Sequence, residues 1–96
     1  MLHLIFQSPI ETATLERIAQ EDGVLFLENA VLRLLKNAAQ SSQLSLMLQN
    51  KRLFVLLSEL QTRGITAAEL IDNIEVIDYA RFVCLTCEYK TVQSWF

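Results

Sequence analysis

Glycine is nearly missing from this chain: Gly23 and Gly64 are the only two in 96 residues. A phosphate-cradling loop needs more than that, so Walker-type and dinucleotide-binding turns are excluded. Cysteine occurs twice, too few for a disulfide scaffold or a four-thiolate zinc site. Histidine occurs once, at His3. Basic residues are scarce and scattered: eight Lys and Arg stand against eleven Asp and Glu, and only Lys51 and Arg52 are adjacent. With net charge −3 and no basic stripe, direct nucleic-acid binding is disfavoured. No apolar run reaches the length of a membrane span. No basic segment with a small-residue cleavage site opens the chain, so the expected location is the cytoplasm.

What is abundant is apolar side chain. Hydrophobic residues make up 52% and charged residues 20% of the sequence, with a mean hydropathy of +0.30. A chain of this length forms one domain, residues 1–96, and hides only about 60–70% of its unfolded surface. The surplus has two destinations: contact with other subunits, or a sheet covered on both faces.

The runs alternate between two periods. Leu2 to Phe6 reads as a buried strand. Ser8-Pro9-Ile10-Glu11 is a compact helix start, with Ser8 as N-cap, Pro9 at the first position and Glu11 completing a capping box. Leu15, Ile18 and Ala19 form the inner stripe of that helix, and Asp22-Gly23 ends it. Val24 to Leu27 is a second strand. Asn29 caps a helix whose Val31, Leu34, Leu35 and Ala38 recur at helical spacing. Leu44 to Leu48 fits a strand and a short helix equally well. Leu53 to Leu57 is a strand, and Ser58 to Arg63 is a short helix stopped by Gly64. Thr66 caps a turn of helix through Ile71, and Asp72-Asn73 is a turn. Ile74 to Ile77 is a strand, and Asp78 caps a helix from Tyr79 to about Tyr89. Residues 92–96 are extended or irregular. Strands alternating with helices predict an α/β fold: a small three-layer α/β/α domain around a mainly parallel sheet of four or five strands.

Chemistry-bearing residues are few. Cys84 and Cys87 form a CxxC, but inside a helix begun by Asp78, beyond the first turn where a helix end stabilises thiolate. On a helical wheel Tyr79, Phe82, Val83 and Thr86 mark the inner face. Cys87 then falls at its margin, and Cys84 lies near Arg81 and Glu88. The bland reading is two ordinary thiols; the alternative is a persulfide or dithiol carrier using Cys84 and Cys87. His3 shares a strand face with Ile5 and reads as a buried histidine with one or two hydrogen bonds. The uncharged Val92-Gln93-Ser94-Trp95-Phe96 segment sends Gln93 and Trp95 one way, and Val92, Ser94 and Phe96 the other. A bare edge of this kind invites pairing with another chain, so Val92, Trp95 and Phe96 are candidate partner-interface residues, with intramolecular packing as the other reading. No catalytic, cofactor-binding or metal-binding residue stands out.

Several segments together resemble the TusB/DsrH family, small proteins of the DsrE/DsrF/DsrH-like fold. They are Met1-Leu2-His3, Ser8-Pro9, Leu25-Phe26-Leu27-Glu28, Leu60-x-x-Arg63-Gly64-Ile65, Ile77-Asp78-Tyr79-x-x-Phe82-Val83-x-Leu85-Thr86 and Val92-Gln93-Ser94-Trp95. They run across essentially the whole chain in family order. The resemblance implies a non-catalytic subunit that joins TusC-like and TusD-like partners in a heterohexamer, a dimer of trimers. That assembly relays persulfide sulfur toward 2-thiolation of the tRNA wobble uridine. The resemblance also implies that the working cysteine lies on the TusD-like subunit, which passes sulfur to a TusE-like acceptor. The DsrH-like branch serves sulfur oxidation and typically carries a cysteine in the first helix. The aligned position here is Ile18, which cannot hold a persulfide. By analogy with the fold, the expected strand order is 3-2-1-4-5, with partner loops beginning near Gln7–Ser8 and Glu28–Asn29.

Overall fold

A computed structural model describes residues 1–6, 17–19, 21–36, 46 and 51–95. Among these, five strands form one sheet: β1 (Leu2–Ile5), β2 (Gly23–Phe26), β3 (Arg52–Leu56), β4 (Ile74–Ile77) and β5 (Val92–Trp95). Every pairing is parallel. The three central strands are short, mainly apolar runs that suit a sheet buried on both faces, whereas the outer β4 and β5 carry polar residues and are more exposed. The α/β class is therefore as the sequence predicts.

The strand order is β4-β3-β2-β1-β5. The expected 3-2-1-4-5 is corrected in its second half: β4 lies outside β3, and β5 alone flanks β1. The connecting helices explain this. The short helix α1 (Leu57–Arg63) ends on Gly64, whose left-handed backbone (φ 65°, ψ 31°) lets its amide reach back to the carbonyls of Leu60 and Gln61. A 3₁₀ turn, Ala67–Glu69, follows, and the chain drops beside the strand it has just left. Helix α2 (Tyr79–Glu88) then crosses the whole sheet. Its ten residues span about 15 Å, against roughly 19 Å across four strand spacings; residues 89–91 cover the rest.

Each sheet face builds its own core. Ile5, Val24, Phe26, Leu53 and Val55 pack under Ile18, Ala30, Val31, Leu34 and Leu60. On the opposite face Leu2, Leu25, Phe54, Leu56 and Ile77 pack under Leu85. The α2 stripe facing this core is Phe82, Leu85 and Tyr89. Tyr79 (69% exposed) and Val83 (49%) face outward. The expected inner face, Tyr79-Phe82-Val83-Thr86, is corrected by roughly one position. Leu85 sets the rotation because it alone is fully buried, and its neighbours at i−3 and i+4 follow it inward.

Backbone chemistry decides several local features that the sequence also predicts. Asp78 caps α2 by accepting the Arg81 amide at 2.8 Å. Asn73 takes the left-handed conformation (φ 67°) that asparagine tolerates in turns. Gly23 leaves room for Tyr89, whose hydroxyl would lie 2.6 Å from an added Cβ.

Two readings change. Asn29 is not a cap: a 3₁₀ helix spans Glu28–Leu34 and begins from the extended Leu27 with no side-chain cap. Ala19, placed on the inner stripe, is exposed, while Ile18 is buried. The Ser8-Pro9-Glu11 helix start, Leu15, Ala38, the Gln7–Ser8 loop and Phe96 lie outside the described residues. So does Leu44 to Leu48 apart from Leu46, which is helical.

Candidate functional site

The two ends of the described chain meet. Parallel pairing sets His3 opposite Gln93 and Ile5 opposite Trp95, so all four side chains share one face. His3 is 1% exposed. The Trp95 indole Nε1 donates to His3 Nδ1 at 3.0 Å, and His3 Nε2 lies 2.7 Å from Asp22 Oδ2. Indole nitrogen can only donate, so Nδ1 must accept. The imidazole proton therefore sits on Nε2 and is donated to Asp22. This tautomer follows from the hydrogen-bond network.

Asp22 closes the turn before β2. Its Oδ2 also accepts the Ala19 amide at 3.0 Å, and its Oδ1 accepts the Met1 amino group at 3.0 Å. Burial works against the ionised carboxyl. Hydrogen bonds from His3, the Met1 amino group and the Ala19 amide outweigh it and hold the pKa at about 2, below the ordinary 3.8. One carboxylate thus fastens the turn at Ala19–Asp22 to β1, and through His3 to β5.

Both nitrogens of His3 are engaged. The ring has no lone pair left for a metal ion or a substrate proton. Among the described residues, no group of three or more His, Cys, Asp or Glu is arranged to hold a metal. The cluster acts as a clamp that fixes the Trp95 ring in place.

A cleft of about 440 Å³ opens beside the clamp, lined by Met1, His3, Arg17, Gln93 and Trp95. The guanidinium carbon of Arg17 lies 5.9 Å from the Trp95 ring centroid. Of the candidate interface residues, Val92 is 44% exposed on the opposite face, and Trp95 is half-buried.

A second network sits at the carboxyl ends of β2 and β3. Glu28 has φ 51°, unusual for a non-glycine residue. Its amide donates to Glu59 Oε2 at 2.9 Å, and Arg63 pairs with the same oxygen at 2.8 Å. Arg63 also reaches Asn29 Oδ1 at 3.5 Å. Glu59 thus steadies the strained turn while Arg63 neutralises it.

Cys84 and Cys87 are both exposed on α2 as free thiols. Arg81 bridges over to Glu88 at 2.9 Å along the helix side where Cys84 sits, and Glu88 also lies 3.8 Å from Arg52. Ile18 is buried under the sheet's first core.

The sequence brings Cys84, Arg81 and Glu88 together on one helix side, but it pairs no residues of the His3 cluster or of the Glu59 network. Asp22 was read only as part of a helix break, and Arg17 and Glu59 were not singled out. An available signal was the lone histidine on a buried strand face, which must find polar partners.

Comparison with known proteins gives a consistent outcome. Residues 6–92 match the family model described as DsrH like protein. Protein TusB of Yersinia enterocolitica is 34% identical, the match covering 99% of this chain and all of that protein. Protein TusB of Buchnera aphidicola is 33% identical over the same shares. A solved structure of a protein of unknown function from Methanobacterium thermoautotrophicum has the same fold, with TM-score 0.72, 14% identity and coverage of 98% of this chain and 96% of that one.

Proposed function

The chain belongs to the DsrH-like family, and from that premise we propose that it is a non-catalytic subunit of a TusBCD-type sulfur-relay complex. In this reading it binds TusC-like and TusD-like subunits in a heterohexamer, a dimer of trimers in the cytoplasm. The complex supports 2-thiolation of the tRNA wobble uridine and delivers sulfur to a TusE-like acceptor. The active cysteine belongs to a partner, and this chain does not itself touch nucleic acid. The observation that carries the reading is end-to-end kinship with proteins named TusB.

Two features support it. Isoleucine, buried at position 18, takes the place where the DsrH-like branch would carry a thiol, which favours the TusB branch. The thiols that do exist, Cys84 and Cys87, are exposed in the middle and the last turn of α2, away from its N-terminus. Val92, Trp95 and Phe96, with the free edge of β5, form the partner contact in this reading.

The test is genetic and biochemical together. Deleting the gene should abolish wobble-uridine thiolation. A Cys84→Ser, Cys87→Ser double variant should restore it and should co-purify with TusC-like and TusD-like subunits. Loss of thiolation in the double variant, with the complex intact, would instead make this chain a sulfur carrier.

A further inference from the structure

We propose that the cleft beside β5 receives a carboxylate side chain presented by a partner subunit, with Arg17 as its counter-ion. This rests on the reading that the chain works within an assembly, and it names the chemistry of one contact.

Arg17 differs from three of the other arginines. Arg52, Arg63 and Arg81 each lie within 4.0 Å of a carboxylate, at 3.8, 2.8 and 2.9 Å. Arg17 is exposed, and its contact among the described residues is the Trp95 ring. Lying against an aromatic face leaves the in-plane N–H donors of a guanidinium free for a planar acceptor. Carboxylate matches that fork.

The base of the cleft is already ordered. Trp95 is fixed by His3, and His3 by Asp22, so little side-chain entropy remains to be lost when the cleft is filled. Among the described residues its other walls, Met1 and Gln93, bring no side-chain charge, and the Met1 amino group is paired with Asp22 at 3.0 Å. In a chain of net charge −3, an acidic partner segment is admitted where a cation has no carboxylate partner among the described residues.

The occupant is part of a macromolecule. One exposed guanidinium holds a free small anion weakly in water. About 440 Å³ also exceeds what a lone carboxylate fills. A side chain delivered by a docked subunit arrives at high effective concentration. Among the described residues no strand covers the outer side of the neighbouring β5, where the Ser94 carbonyl accepts the Gln93 side chain at 3.0 Å and the other outward main-chain groups are left for that subunit to engage.

The experiment measures binding of the full chain to its TusC-like and TusD-like partners by calorimetry at low and high salt. Arg17→Gln should weaken binding about 5–10-fold, Arg17→Glu should weaken it more, and Arg17→Lys should recover part of the loss. The salt dependence should become shallower in Arg17→Gln. Unfolding midpoints, measured alongside, should stay close to the parent's because Arg17 is exposed. If Arg17→Glu fails to fold, Arg17→Gln alone decides. Partner affinity within twofold of the parent in the folded variants overturns the proposal while leaving the assembly reading intact. Failure of the unaltered chain to bind those subunits overturns both. If Arg17→Glu abolishes a homodimer and leaves partner affinity unchanged, the occupant is a second copy and the proposal falls.

Discussion

Of the two marginal strands of the sheet, β4 carries Glu75 at its centre with Asp72 and Asp78 close on either side, whereas β5 carries no charge at all. Charge on an outer strand deters other strands from pairing with it. The β4 margin is therefore defended, and among the described residues the β5 margin is left open. The open strand is also the one tied most firmly inward, since its Trp95 bonds to a buried histidine. An edge meant only for solvent needs no such anchor. A surface that must meet a partner in one fixed geometry gains from one.

The comparison breaks most sharply at the anchor. His3→Ala should cost about 3 kcal/mol in urea unfolding, because it leaves the Trp95 donor unpaired, removes a partner from Asp22 and opens a gap. β5 should loosen before β4, seen as faster amide exchange at 92–95 than at 74–77. Asp22→Asn comes next, at roughly 2 kcal/mol near neutral pH, since it weakens bonds to a charged acceptor. The same carboxyl has a pH signature. Its pKa is lowered from 3.8 to about 2, so the stability it contributes is fully present above about 3.8 and is lost as pH falls toward 2. Asp22→Asn should flatten that part of the acid-unfolding curve, measured as urea midpoints between pH 5 and 2. Trp95→Phe keeps the ring but not the donor and should cost about 1 kcal/mol. Val92→Lys, on the strand face away from the cleft, should change stability by less than about 0.5 kcal/mol, since Val92 is 44% exposed. By giving β5 the charge that β4 already has, it should nevertheless reduce recovery of partner subunits on co-purification.

The sequence shows clearly what depends on near neighbours. Ile74 to Ile77, the Asp78 cap, the Gly64 stop and the Asn73 turn are each decided by a few adjacent residues. Strand order is not, because it depends on where a crossing helix comes down, and nothing local to β5 says that α2 reaches past three strands. The rotation of α2 is not legible because Tyr79 and Val83 look as apolar as Leu85, and only the sheet beneath chooses among them. The site was half legible. His3 was recognised as a buried residue in need of partners, and the tail as unusual. That they need each other could not be read, because 92 residues separate them. The sequence therefore leaves Trp95 between partner contact and intramolecular packing, and the structure spends its indole nitrogen inside the molecule.

That separation has a consequence for biosynthesis. One side of β1 is matched by a strand made almost a full chain length later, so on the ribosome it emerges early and stays unmatched while translation continues. Pairings this distant are slow to close and leave sticky backbone uncovered in the meantime. A nascent polypeptide of this design should lean on chaperones early, and truncations that remove β5 should yield inclusion bodies rather than smaller soluble domains.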